Sequence, residues 1–303
     1  SKAIIPIENT EAIYAFGELD FNTKLFNYLA QKGIPVHIFN YYGFYSGSYY
    51  PRETLNSGQL LVKQVNHYTG KQKRIALART FVDAASFNIQ KNLRYYNNRG
   101  KSLGAYIDTI EGFRSQIEKT EEIDELMGIE GNIRNAYYKA WPIIIDQEIE
   151  FERRVKQPPD NMLNALISYL NSMVYTTCLG EIYHTQLSPL ISYLHEPGDR
   201  RFSLSLDLAE VFKPIFSDRI IFTLLNRQQI TEKDFMAEVN FCYLNEKGRK
   251  IVIKEYDERL KTVITHKKLE KQVSYRYLIR LECYKLLKHI IGEQDYEGFK
   301  IWW

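Results

Sequence analysis

Cysteine is nearly missing from this chain. The three that occur, Cys178, Cys242 and Cys283, are far apart, odd in number and never form a Cys-x-x-Cys pair. That argues against a structural zinc site and fits a reducing compartment. No long uncharged apolar run occurs, and the first residues lack the pattern of a secretory signal. The expectation is a soluble cytoplasmic protein with no membrane partner. Low-complexity tracts and internal repeats are absent too. Excess charge is scarce: the formal net charge of +3 is too small to argue nucleic-acid binding by itself, so any basic surface must be local. The chain starts at Ser1 rather than methionine, which leaves room for a preceding N-terminal piece.

What is present is globular in composition, 45% apolar and 25% charged over 303 residues, enough for one large domain or two ordinary ones. Tyrosine is heavily used, at 23 residues. Residues 1–70 read as a small β-rich domain. Ile4–Ile7 and Ala12–Phe16 are β-prone runs. Asn22 can cap a helix carrying Leu25, Phe26 and Leu29 and ended by Gly33, and Val36–Phe39 follows as a strand. The alternation of aromatic and small residues from Tyr41 to Tyr50 suggests a hairpin, open either to base stacking or to a place in a sheet or dimer interface. His67–Lys71 reads as a hinge. Beyond it the period becomes helical: Ile75, Ala78, Phe81, Val82, Ala85 and Ile89 recur on one face. Helical patterns continue through Ile107–Ile117, Ile123–Ala140, Asn161–Cys178, Ser203–Phe216 and Tyr275–Ile291, with Phe235–Leu244 ambiguous. The fold class expected is therefore α+β in two domains, a β-rich one over 1–70 and a larger all-helical one over 71–303.

Candidate chemistry lies in the helical part. Asp207 and Glu210 are three apart, on the flank of an apolar face formed by Leu204, Leu208, Val211, Phe212 and Ile215. Such a pair is either a solvated edge or a site at the rim of the core. His195 lies just upstream in a Pro/Gly-bearing loop, and is either a surface residue or an imidazole delivered to those acids. Glu130 opens a helix beside its apolar stripe with Arg134 one turn on, and these residues alone read as an i,i+4 surface ion pair. Two carboxylates and an imidazole can form a hard-metal site suited to phosphodiester chemistry, since oxygen-rich ligands hold Mg²⁺ or Mn²⁺ against a phosphate.

Four stretches together carry a specific resemblance. They are Ile129-Glu130-Gly131-Asn132 with Tyr137-Tyr138, the run from Gln157-Pro158-Pro159 to Asn164-Ala165-Leu166, Leu194-His195 followed by Ser203 to Pro214, and Gly33-Ile34-Pro35-Val36. Across essentially its whole length the chain resembles the CRISPR adaptation integrase family, the first Cas protein (Cas-one). Two departures stand out. Ser192-Tyr193 occupies positions where members often carry glycine, and Lys213 replaces a frequent arginine, keeping charge but losing the bidentate fork.

The resemblance implies a divalent metal held by Glu130, His195 and Glu210, with Asp207 a third catalytic acid close to it, as an auxiliary ligand or a support for the ligands. It implies antiviral spacer integration, in which a free DNA 3′-hydroxyl attacks a phosphodiester of target DNA. The partners implied are double-stranded DNA (prespacer and CRISPR repeat), a Cas-two protein and a second copy in a homodimer paired through the β domain. Local positive charge at Arg249, Lys250, Lys254, Arg259, Arg276 and Arg280 offers a DNA-backbone track, or else a solvated helix face. Two other functions fit: a non-catalytic DNA-binding scaffold subunit, and a generic metal-dependent nuclease.

Overall fold

A computed structural model describes residues 5–52, 55–149, 151–155, 158–199, 201–238 and 241–303. The chain divides into two compact units, Ser1–Asn56 and Ser57–Trp303. The division therefore falls before the hinge expected near residue 70, because Ser57 starts a helix. Its side chain accepts a hydrogen bond from the Leu60 amide at 3.2 Å and caps α2 (Gly58–Thr69). Two residues of that helix, Leu60 and Gln64, are buried, and Gln64 bonds the backbone of Ser188 in both directions.

The first unit is a three-stranded sheet with one helix. Strand β1 (Ile13–Phe16) runs parallel to β2 (Val36–Phe39), and β3 (Tyr45–Tyr49) pairs antiparallel with β2 on its other side. Helix α1 (Thr23–Lys32) makes the crossover that a parallel pair requires. Its ends follow the sequence signals: Asn22 Oδ1 accepts from the Leu25 amide at 2.9 Å, and Gly33 closes the helix at φ 68°. Ala15, Leu29, Ile34 and Val36 form the core. Two expectations change here. The β-prone run at residues 4–7 gives no strand among its described residues; Ile7–Asn9 is instead a 3₁₀ turn, fastened by the Thr10 hydroxyl on the Pro6 carbonyl at 2.9 Å. The Tyr41–Tyr50 segment is not a hairpin of its own. Asn40 organises a turn through Tyr42 and Phe44, and only Tyr45–Tyr49 forms the strand.

The second unit is mainly helical. Its frame is α3 (Lys71–Asn97), α4 (Gly104–Arg114), α5 (Ile123–Ile144), α6 (Met162–Tyr183), α7 (Ser203–Phe212), α8 (Arg219–Asn226), α9 (Glu246–Lys261) and α10 (Tyr275–Ile291). Two antiparallel ribbons interrupt it, β4 (Phe235–Glu238) with β5 (Phe241–Leu244), and β6 (Val263–His266) with β7 (Lys271–Ser274). The described residues of the ambiguous 235–244 segment thus form two antiparallel strands. No helix among the described residues is long and apolar enough to cross a membrane.

Helix α7 packs between α3 and α6, and α5 packs on α3. Buried amides on α3 fix this arrangement. Asn88 Nδ2 donates to the Val211 and Phe299 carbonyls, both at 3.0 Å, and Asn92 Nδ2 donates to the Pro214 carbonyl at 2.7 Å. The helical run after Ser203 does not continue unbroken to Phe216. Pro214 lacks the amide that would continue the ladder, and residues Pro214–Asp218 form a π-helical turn closed by Asp218 N–H on the Lys213 carbonyl at 3.0 Å.

Candidate active site

Helix α7 decides between the two readings of its acids. Every residue from Ser203 to Phe212 except Leu206 is buried, as expected of a helix that is apolar nearly all round. Asp207 is 0% exposed and Glu210 8%, so neither lies on a solvated edge. A carboxylate in such a place needs partners. Asp207 has four: it accepts from the Tyr193, Leu194 and His195 amides at 2.7, 3.0 and 3.0 Å, and from His195 Nδ1 at 2.8 Å. The loop before α7 is therefore wrapped around this acid. Ser192 donates to the His195 carbonyl at 2.5 Å, and Arg74 Nε to the Tyr193 carbonyl at 3.0 Å. With Nδ1–H given to Asp207, the neutral ring keeps its Nε2 lone pair for a ligand. Burial works against charging His195, but the Asp207 hydrogen bond and charge, with Glu210 adding, outweigh it and raise its pKa above the ordinary histidine value.

Glu130 comes from α5, two turns in rather than at the helix start. Arg134, one turn on, reaches Glu130 Oε1 with Nε at 3.3 Å and Glu210 Oε2 with Nη2. Lys213 holds the other Glu210 oxygen. The Glu130–Arg134 pair is thus no surface pair; the arginine side chain is 11% exposed. Burial, then the negative charge of Glu210, raises the Glu130 pKa. Burial also opposes ionisation of Glu210, yet Lys213 and Arg134 prevail and hold it well below the usual carboxylate range. Asp218, at the end of the π turn, is the fourth acid here. Burial pushes its carboxyl up to about 7, against the pull of Arg134.

The four residues expected at the site are therefore assembled from three elements: Glu130 on α5, Asp207 and Glu210 on α7, and His195 on the intervening loop. Arg134 bridges Glu130 and Glu210, and Asp207, one turn before Glu210, holds the His195 ring, so the candidate ligands sit on adjoining elements. Among the described residues, no three His, Cys, Asp or Glu side chains stand at metal-coordination spacing; Arg134 and Lys213 hold the Glu210 carboxylate instead. The donor set nonetheless fits a hard divalent cation. Two carboxylates joined by one arginine lie on neighbouring helices, and an imidazole oriented by Asp207 stands on the loop leading into the second of them. The cysteines are all buried and take no part. Sequence reasoning missed Asp218 and treated Arg134 and Lys213 only as a pair partner and a departure. An acid inside the apolar run Ile215-Phe216-Ser217-Asp218-Arg219-Ile220 was the available signal.

The basic run is mostly internally neutralised. On α9, Lys250 pairs with Glu246 at 2.6 Å, Lys254 with Glu258 at 3.9 Å and Arg259 with Glu255 at 3.8 Å, all one turn apart. Arg249 donates to the Leu244 carbonyl at 3.3 Å. Arg276 and Arg280 both close on Glu181, a carboxylate with 0% exposure, at 2.6 and 2.7 Å. The one-turn repeat of arginines on α10 thus secures a buried acid between α6 and α10 rather than forming an uncompensated cationic strip. Glu181→Gln should lower unfolding free energy by about 3 kcal/mol, since two partly buried guanidinium groups lose their counter-charge. Urea denaturation measures this; an unchanged midpoint would contradict the pairing.

Comparison with known proteins identifies the family. The family model described as CRISPR associated protein Cas1 matches residues 1–258. The CRISPR-associated endonuclease Cas1 of Fusobacterium nucleatum is 58% identical over 302 residues, covering 100% of this chain and 89% of that one. A solved Cas1 protein from Thermotoga maritima superposes with a TM-score of 0.84 at 42% identity, covering 98% of this chain and 91% of the other. At the level of fold alone, a chain of a Cas6-RT-Cas1–Cas2 complex superposes with a TM-score of 0.81 at 17% identity, over 96% of this chain and 32% of that one. The chain belongs to the CRISPR-associated Cas1 family.

Proposed function

We propose that this protein is a divalent-metal-dependent DNA endonuclease and integrase that joins prespacer DNA to a CRISPR repeat. The observation that supports the reading is that Arg134 joins Glu130 to the buried Glu210, while Asp207, one turn before Glu210 on α7, holds the His195 ring. The name endonuclease borne by the 58% identical relative supports it. Glu130, His195 Nε2 and Glu210 would hold Mg²⁺ or Mn²⁺. When bound, the ion would supply positive charge at the phosphoryl oxygens and lower the barrier to in-line attack.

The protein's own groups do the rest. An Nδ1–H donated to Asp207 leaves the His195 Nε2 lone pair for a ligand. Without the cation, Lys213 and Arg134 hold the Glu210 carboxyl well below the usual carboxylate range. A Cβ added at Gly128 or Gly131 would meet nothing within 4 Å, so protein does not fill the space beside these two positions flanking Glu130. In the reaction a P–O bond forms to the prespacer 3′-oxygen while the target P–O3′ bond breaks. The number of phosphodiesters is conserved, so no nucleotide cofactor is needed. Double-stranded DNA and a Cas2 protein are the partners, and two copies pair through the β-rich unit. The exposed rings of Tyr41 and Tyr42, 55% and 47% accessible, favour that unit as a contact face.

The test is strand transfer of a labelled prespacer into a supercoiled plasmid carrying the repeat, with Cas2 present. Joined product should require Mg²⁺ or Mn²⁺ and vanish in chelator; undiminished joining in chelator would reject the mechanism. The reaction should also fail toward acid. The raised His195 pKa means the ring takes its proton earlier than free imidazole as pH falls. In the fold, that proton stabilises below the unfolded value and its contribution is lost as pH rises through the folded one. Metal affinity behaves oppositely and should weaken about tenfold per pH unit on the acid side. Mn²⁺ titration from pH 5 to 8 checks the sign; affinity independent of pH would contradict it.

A further inference from the structure

Arg134 is held on two sides but not the third. Its Nε and Nη2 meet Glu130 and Glu210, while Nη1 is buried with no hydrogen-bond partner. Asp218, 1% exposed, is in the complementary position: its Oδ2 is buried and also lacks a partner. The two groups act on each other electrostatically. A buried guanidinium donor and a buried carboxylate acceptor of opposite charge, near enough to act on each other, are thus both left unused. Buried orphans of this kind are few in native proteins and call for an explanation.

The surroundings supply one. Tyr137 lies three residues beyond Arg134 on α5, and its hydroxyl is within hydrogen-bonding reach of Asp218 while accepting from Asn92 Nδ2 at 3.0 Å. Asn92 in turn donates to the Pro214 carbonyl at 2.7 Å and accepts from Arg219 Nε at 2.8 Å, so both ends of the π turn are fixed. Asp218 is therefore a rigid acid behind the site. A divalent cation on Glu130 and Glu210 would repel the two side chains that hold those carboxylates now. Lys213, on a flexible stem, can swing its ammonium outward. Arg134, 11% exposed, is enclosed and needs an anion within the protein.

We propose that Arg134 is a two-position residue and that Asp218 is its second seat. Without the cation its guanidinium neutralises Glu130 and Glu210; with the cation it pivots so that Nη1 engages Asp218. Both are positioning residues. This rests on the reading of Glu130, His195 and Glu210 as the cation site, and it explains why a carboxylate is kept buried at the end of an irregular turn.

The test is Mn²⁺ affinity of the purified full chain, followed by electron paramagnetic resonance, together with melting temperature in chelator. Asp218→Asn keeps shape and removes the second seat. Affinity should fall about tenfold, within the usual range of coupling between sites, while the metal-free melting temperature holds or rises. Adding Arg134→Gln to Asp218→Asn should restore affinity, because the competing cation is gone. Asp218→Asn binding Mn²⁺ like the unaltered protein, while Glu210→Gln does not bind, would overturn the switch and leave the metal site standing. Absence of Mn²⁺ binding by the unaltered protein would overturn both. Should Asp218→Asn fail to fold, arginine side-chain NMR of the unaltered protein during a Mg²⁺ titration decides. The Arg134 resonances must shift with saturation of the site; resonances that stay fixed reject the pivot.

Discussion

Glu130→Gln combined with Glu210→Gln should reduce strand transfer by about three orders of magnitude or more, the scale seen when charge stabilisation of a transition state is removed. Burial and the negative charge of Glu210 both raise Glu130, so a cation shared by these two carboxylates relieves both effects. Glutamine keeps the volume and one oxygen but not the charge, so a hard divalent ion loses its hold. The fold should survive, because Arg134 still has Asp218 beside it and Lys213 is 16% exposed and can be solvated. A second readout separates chemistry from stability. At a Mn²⁺ concentration a hundred times its dissociation constant, the unaltered protein should gain about 2.7 kcal/mol of stability from binding. The double variant should gain none. Full-rate joining by the double variant would remove these residues from the mechanism.

Asp207→Ala should act differently, by dismantling the loop. The lost carboxylate accepts three backbone amides and the His195 ring, all at 3.0 Å or less. The amides of Tyr193 and Leu194 are left inside the protein without an acceptor, and those residues are buried at 0% and 1% exposure. Orphaned buried donors cost about 1–3 kcal/mol each, so the expected loss is about 5 kcal/mol. For a unit of this size that corresponds to a melting temperature lower by roughly 10 °C or more. Calorimetry measures it. Asp207→Asn should lose less, since the amide oxygen still accepts. A thermally unaltered Asp207→Ala protein would show that the loop is held by something else.

Much of this architecture is legible in the sequence. Asn22 and Gly33 mark the ends of α1 because capping is local chemistry, written in the residues that perform it. Helix α10 begins and ends where its pattern does, capped by Ser274 and closed by Gly292 at φ 87°. The site quartet is legible only through its resemblance to a family, because Glu130 and Glu210 are brought together by packing of α5 and α7 on α3. What sequence reading misses depends on tertiary context. The π turn at Pro214–Asp218 breaks a pattern that is apolar on every side, and periodicity carries no signal there. The arginines of α10 resemble a phosphate track until Glu181, some 95 residues earlier, is found between them. Helix α2 buries only Leu60 and Gln64, one of them polar, and leaves Leu61, Val62 and Val65 exposed, so its apolar residues trace no core-facing stripe.

The most direct measurement is anomalous diffraction from crystals soaked in Mn²⁺. A single peak bounded by Glu130, His195 Nε2 and Glu210, with Arg134 withdrawn from Glu210, is the expected result. Manganese bound elsewhere, with Arg134 and Lys213 still on the Glu210 carboxylate at saturating metal, would contradict convergence of these residues on one cation.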